Sequence, residues 1–272
     1  MDIRLPSGEG YFNLVRLLRE NNLHTVCQEA NCPNIAECFG KRTATFMILG
    51  DTCTRNCAYC GVKHGRPSDV DSGEPSRIAR AVWELGLRYV VITSVTRDDL
   101  EDGGASMFAR TIGEIRRLNP GCKVEVLIPD FQGNEKALEK VLQARPDVLN
   151  HNIEVVKRLF PLMRAQGDYK RSLEVLKKAR GCSITKSGFM VGLGETKEEI
   201  ISTMEDLCGL ADILTIGQYL RPSEGHARVF RYYTPDEFEE LKQAGLEMGF
   251  RHVEAGPLVR SSYHAEDYGS LL

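Results

Sequence analysis

The chain predicts an α/β fold: a partial (β/α)6 barrel with an N-terminal cysteine-bearing extension and a short C-terminal tail. Three observations carry this. Short apolar runs such as YVVIT and VLI recur after residue 42 and have the composition of parallel strands covered on both faces. Stretches with helical spacing separate and follow them. Six such units occupy about 210 residues, which suits an incomplete barrel. The boundaries that follow are 1–42 for the extension, 43–250 for the barrel and 251–272 for the tail.

The six strands are expected at 43–49, 89–93, 123–128, 147–150, 185–191 and 213–219. After the first strand, Ile78, Val82 and Leu85 form one apolar helix face. After the second, Phe108, Ile112 and Ile115 form another, and after the fifth Ile200, Met204, Leu207 and Cys208 form a third. Two helices announce their starts: Thr196 with Glu199, and Thr234 with Glu237 behind Pro235, both read as capping boxes. Barrels of this kind carry their chemistry at the carboxyl ends of the strands. There the chain places DTCTRNCAYC after the first strand, TSVTRDD after the second, NHNIE after the fourth, GLGET after the fifth and QYLRPS after the sixth.

Composition narrows the setting. A formal charge of -3 over 272 residues gives no electrostatic case for binding nucleic acid. The opening MDIRLPSGEG has no apolar run, so neither a secretory signal nor a spanning helix is expected. Nine cysteines, an odd number gathered by threes, do not read as a disulfide framework. Thiol clusters without a signal point to a reducing interior, and cytoplasm is the expected location.

Cys53, Cys57 and Cys60 are separated by three and then two residues. Three thiolates at this spacing suit a 4Fe-4S cluster with one iron left open. That iron could chelate the amino and carboxylate groups of S-adenosylmethionine, and one electron could then cleave the sulfonium bond. Counting alone leaves a zinc site with His64 as fourth ligand open. A second trio, Cys27, Cys32 and Cys38, has spacings of four and five and reads as a second iron–sulfur site in a loop marked by Asn and Pro. Cys122, Cys182 and Cys208 stand singly and read as small buried hydrophobes. His151 and His226 read as structural histidines. Arg164, Lys170 and Arg171 read either as a surface that steers an acidic partner or as a solvated helix face.

Taken together, HTVCQEANCPNIAECFG, ATFMILGDTCTRNCAYCGVKHGRP, TRDDLEDGGA, LNHNIE and RSSYHA resemble the lipoyl synthase family of the radical S-adenosylmethionine superfamily, over about residues 25–265. The resemblance implies sulfur insertion at the sixth and eighth carbons of a protein-bound octanoyl chain. It implies two 4Fe-4S clusters and S-adenosyl-L-methionine as cofactors, the auxiliary cluster on Cys27, Cys32 and Cys38 giving up its sulfur. From RSSYHA it implies a serine ligand to that cluster, Ser262, with Ser261 beside it as the alternative. It implies cofactor contacts at Tyr59 and Val62, at Thr93 and Ser94 toward the methionine end, at Asn152 and Glu154 toward the ribose, and at Gly192, Gly194 and Glu195 beside the adenine.

The implied partners are octanoylated lipoyl carrier domains of 2-oxoacid dehydrogenases and the glycine cleavage carrier protein, an electron donor such as ferredoxin or flavodoxin, and an iron–sulfur repair carrier. Neither nucleic acid nor membrane is expected. The rival readings are a biotin-synthase-like enzyme, a transfer RNA methylthiotransferase and a non-catalytic electron carrier. The second would bring a larger cysteine domain and a basic tail, and the third would ligate each cluster fully.

Overall fold

The computed structural model describes residues 9–29, 32, 34, 35, 38, 45–263 and 265. Residues 43 and 44 of the first expected strand, Asn31 and Pro33 of the upstream loop, and His264 of RSSYHA lie outside them. The described chain falls into two compact units. One comprises the residues up to Arg55, Val62–Asp147 and Ala265; the other comprises Asn56–Gly61 and Val148–Tyr263.

The first unit contains α1 (Glu9–Glu20), β1 (His24–Thr25), α2 (Val26–Glu29), β2 (Thr45–Ile48), α3 (Glu74–Leu85), β3 (Tyr89–Ser94), α4 (Ala105–Leu118), β4 (Lys123–Leu127) and α5 (Glu135–Gln143). Strands β2, β3 and β4 are parallel, with Thr45 opposite Val91 and Tyr89 opposite Lys123, while β1 runs antiparallel to β2. Every residue of β2 is buried, as a strand covered on both faces requires. Ile78 and Val82 of α3 and Phe108, Ile112 and Ile115 of α4 are buried, so both expected apolar faces pack inward. Pro75 sits in the first turn of α3, and Gly86 ends that helix in the left-handed conformation at φ 65°.

The second unit contains β5 (Val148–Asn150), α6 (Phe160–Met163), α7 (Tyr169–Ala179), β6 (Ile184–Val191), α8 (Lys197–Leu207), β7 (Ile213–Gln218), α9 (Pro235–Met248) and β8 (His252–Gly256). These four strands are parallel and pair in chain order, with Val148 opposite Ile184, Lys186 opposite Ile213, and Ile213 opposite His252. Both capping boxes form: Thr196 and Thr234 each accept from the backbone N–H three residues on, and Glu199 and Glu237 reach back. Ile153, Phe189, Met204, Ile216, Phe238 and Val253 belong to one buried cluster at the centre of this unit.

All six expected strands are present, each within two residues of its expected bounds. The structure adds β1 and β8. In β8 only Val253 and Gly256 are buried, so its pattern carries no period of two, and pairing with β7 makes it a strand. Two of the single cysteines depart from expectation. Cys122 is buried, but Cys182 and Cys208 are exposed. Cys208 has left the apolar face of α8 because it is the C-cap, with extended backbone, and its thiol donates to the carbonyl of Met248 at 3.1 Å.

Candidate active site

In the first unit the loop that follows β2 carries Cys53. Its backbone is held like a short strand: the Cys53 N–H donates to Lys63 O at 2.8 Å, and the Gly65 N–H donates to Cys53 O at 2.9 Å. His64, the candidate fourth zinc ligand, lies opposite Cys53 in this pairing, with its side chain exposed. Two backbone N–H groups, from Thr96 and Arg55, point at the Cys53 sulfur at 3.3 and 3.4 Å. Both donors are backbone groups, so their direction is set by the path of the chain.

The TRDD segment after β3 laces this loop down. Thr54 donates to Thr96 O from both its backbone N–H and its hydroxyl, each at 3.0 Å. The N–H of Asp98 donates back to Thr54 Oγ1 at 3.1 Å. At the end of β3 the Thr93 hydroxyl donates to Leu127 O at 3.0 Å, whereas the Ser94 hydroxyl is buried with no partner among the described residues. Val62 is half-buried just after the loop.

The upstream trio lies in the same unit. Cys27 is buried in α2; burial pushes its thiol up to about 11, and the neighbouring Cys32 adds to the effect. The Cys32 N–H donates to Cys27 O at 3.0 Å, so the two cysteines share one turn. Cys38 is half-buried, and its N–H donates to Asn34 O at 3.0 Å. Among the described residues no three His, Cys, Asp or Glu side chains converge as ligands of a single metal ion.

In the second unit Cys57 and Cys60 occupy one turn, with the Cys60 N–H on Cys57 O at 3.0 Å. The segment is clamped on both sides. Ala58 N–H donates to Met163 O at 2.9 Å, and Ala227 N–H donates to Ala58 O at 2.8 Å. His226 Nε2 lies 3.0 Å from Cys60 O, and its Nδ1 lies 2.8 Å from Ser223 Oγ. Tyr59 packs against the central apolar cluster; burial, with Glu154 nearby, holds its phenol well above the usual range.

At the end of β5, Asn152 is buried and its side-chain carbonyl has no partner among the described residues. Glu154 adopts φ 72°, a left-handed backbone that a residue with a side chain rarely takes. It is pinned there by its N–H on Gly188 O at 3.0 Å and by Met190 N–H on its carbonyl at 2.8 Å. Burial raises its carboxyl group, and Arg164 and Asn152 partly oppose the rise. Arg164 is therefore not a steering group on the surface. It is buried, donates to Asn152 O at 2.9 Å and stacks on the Phe160 ring, while Lys170 is exposed. An arginine between the apolar LFPLM and the polar QGD gave no sequence signal for this.

Gly192 and Gly194 turn the chain after β6 at φ 100° and 99°. A β-carbon at Gly192 would lie 2.6 Å from Arg231 O, so the close approach of residues 230–233 requires glycine. The Glu195 carboxylate is taken up by this turn: it accepts from Gly192 N–H at 2.5 Å, Leu193 N–H at 2.9 Å and the Tyr233 hydroxyl at 3.0 Å. Beyond β8, residues 261–263 form a turn in which Ser261 and Ser262 are both half-buried. The chain reaches it past Gly217 of β7, where a β-carbon would collide with Val259 O.

Residues 47–207 match the model of the Radical SAM superfamily. A lipoyl synthase of Rubrobacter xylanophilus is 60% identical over 268 residues, 97% of this chain and 84% of that protein. A lipoyl synthase of Caldicellulosiruptor saccharolyticus is 57% identical over 274 residues, 99% of this chain and 96% of that protein. Among solved structures, methylornithine synthase superposes with a TM-score of 0.57 at 14% identity, covering 92% of this chain and 72% of its own. A maturase of the FeFe-hydrogenase gives 0.61 at 18% identity, covering 76% and 49%. At these identities the structural likeness bears on the fold alone, and it agrees with the expected α/β partial barrel.

Proposed function

The chain belongs to the lipoyl synthase family of the radical S-adenosylmethionine superfamily, and from that premise we propose that Cys53, Cys57 and Cys60 hold the cluster that takes S-adenosylmethionine, while Cys27, Cys32, Cys38 and Ser262 hold the auxiliary cluster. The reaction replaces hydrogen with sulfur at the sixth and eighth carbons of an octanoyl chain carried on a lipoyl carrier domain. Those C–H bonds offer no acidic proton, so no side-chain base can open the reaction. When bound, the two 4Fe-4S clusters and S-adenosylmethionine supply a hydrogen-abstracting radical and the sulfur.

The observation that carries this reading is the Cys53 sulfur with two backbone N–H groups upon it. Three soft thiolates within eight residues fit an iron–sulfur cluster. Buried polar atoms without a partner among the described residues fit a bound polar molecule, since such atoms are otherwise paired in folded proteins. The Ser94 hydroxyl, beside Thr93, and the Asn152 side-chain carbonyl, beside Glu154, are of this kind. In this reading Ser94 meets the methionine end and Asn152 the ribose. Gly192 and Gly194 let the backbone approach the adenine alongside Tyr59 and Val62. Glu195 serves the site by holding the glycine turn in shape. A serine oxygen at Ser262 is a harder, weaker ligand than a thiolate and releases its iron more readily.

The reading also includes partners: the octanoylated carrier domains, a ferredoxin- or flavodoxin-like donor, an iron–sulfur repair carrier and a cytoplasmic setting. Among the described residues no helix is long and apolar enough to cross a membrane. The test is iron and acid-labile sulfide per chain after anaerobic reconstitution. Roughly eight irons should fall to roughly four when Cys27, Cys32 and Cys38 become alanine. Methionine and 5′-deoxyadenosine should still appear on adding reductant and S-adenosylmethionine. A protein that takes up zinc alone would overturn the assignment.

A further inference from the structure

Arg55 lies between Cys53 and Cys57 in sequence, and only 2% of its side chain is exposed. A guanidinium so placed is costly unless its charge is met. Asp98 takes Nε at 2.7 Å and Nη2 at 2.9 Å, and Asp130 takes Nη2 at 2.6 Å. All three residues belong to the first unit. Nη1 is buried without a partner among the described residues. An apolar side chain would fill the same space without the desolvation cost, so the ion pairs call for a reason other than stability.

Geometry supplies one. Asp98 reaches Arg55 through its carboxylate and Thr54 through its backbone N–H, and Thr54 is in turn tied to Thr96. The two N–H groups aimed at the Cys53 sulfur come from Arg55 and Thr96, both members of this lattice. Asp98 thus grips the loop at two successive residues, and the fork fixes where the Arg55 backbone stands. Lysine would keep the charge but could not bridge two carboxylates with a planar fork.

We propose that Arg55, clamped by Asp98 and Asp130, is a positioning residue that keeps the two backbone N–H donors on the Cys53 sulfur and so raises the reduction potential of the cluster this loop holds. The proposal rests on the assignment of Cys53 to the cluster that takes S-adenosylmethionine. Hydrogen bonds to the sulfurs, with net charge and solvent exposure, set the potential of an iron–sulfur centre. Donors offset the negative charge added on reduction, so losing them makes the cluster harder to reduce.

The experiment uses the full chain with Cys27, Cys32 and Cys38 changed to alanine, so that a single cluster is read. Into it go Arg55→Lys and, as the milder change, Asp98→Asn. Iron content, the electron paramagnetic resonance spectrum of the reduced cluster, its midpoint potential, the melting temperature and 5′-deoxyadenosine release are measured. Both variants should keep their iron, show a changed spectrum and a more negative midpoint potential, and release 5′-deoxyadenosine about tenfold more slowly. A lowered melting temperature with spectrum and potential unchanged would show an ordinary structural ion pair and overturn the proposal. If Arg55→Lys does not fold, Asp98→Asn decides by the same criteria. Full iron retention on adding Cys53→Ala in this background would instead sink the assignment of Cys53, a separate failure from that of the clamp.

Discussion

The imidazole Nε2 of His226 lies 3.0 Å from the carbonyl oxygen of Cys60, 166 residues earlier in the chain. A carbonyl can only accept, so Nε2 carries the hydrogen, and the Ser223 hydroxyl donates to Nδ1 at 2.8 Å. The histidine thus ties Ser223 to the end of the cysteine loop.

Replacing His226 with alanine removes that hydrogen bond to the end of the cysteine loop. The expected cost is about 1 kcal/mol, a fall of roughly 2–4 °C in melting temperature, with faster loss of iron from the loaded enzyme. Thermal melts and iron release to a chelator measure both. An unchanged melt together with an unchanged release rate would remove the role assigned to His226.

The C-terminal turn yields a paired prediction. Ser262→Ala should leave 5′-deoxyadenosine release intact and depress sulfur insertion by about tenfold or more. Gly217→Ala should have the same selective effect by a different route, because its β-carbon would collide with Val259 O and push the serine turn away, at a cost of about 1–3 kcal/mol. Full lipoyl yield from Ser262→Ala would refute the serine assignment.

Acid should destabilise the protein partly through Asp102. Burial opposes its charge, but donation from Ser106, Lys140 and the backbone of Gly104 outweighs burial and lowers its carboxyl from 3.8 to about 2. A folded value below the unfolded one means the contribution, about 1–2 kcal/mol, is present above about pH 4 and disappears as the pH falls through about 2. Urea midpoints between these limits should fall less steeply in Asp102→Asn than in the parent. Parallel curves would show that Asp102 does not contribute.

Alkylation of the loaded enzyme should sort the three single cysteines. Cys182 and Cys208 are exposed and should react first with iodoacetamide near pH 8. Cys122 is buried, and burial, with Asp147 nearby, pushes its thiol up to about 11, so it should react last. Peptide mass spectrometry gives the order. Early labelling of Cys122 would contradict the packing around β4.

Local chemistry made much of this protein legible. Runs such as YVVIT, short and rich in β-branched residues, suit strands buried on both faces of a parallel sheet, and Thr–x–x–Glu at 196–199 and 234–237 closes its hydrogen bonds within four residues. The cysteine spacings and the family are local too. The fate of single polar side chains was not, because it depends on what the fold brings alongside. Glu195 spends its carboxylate on the glycine turn and Tyr233, and Arg164 is buried under Asn152. Cys208 surfaces at a helix end, and β8 is a strand only because β7 lies beside it. What the sequence by itself determined was the order of the elements and the class of chemistry, since both are written in periods and spacings a few residues long. Tertiary structure alone decided which charges are used up and which sulfur receives donors, because the Arg55 clamp joins residues 43 and 75 positions apart, and only folding brings them together.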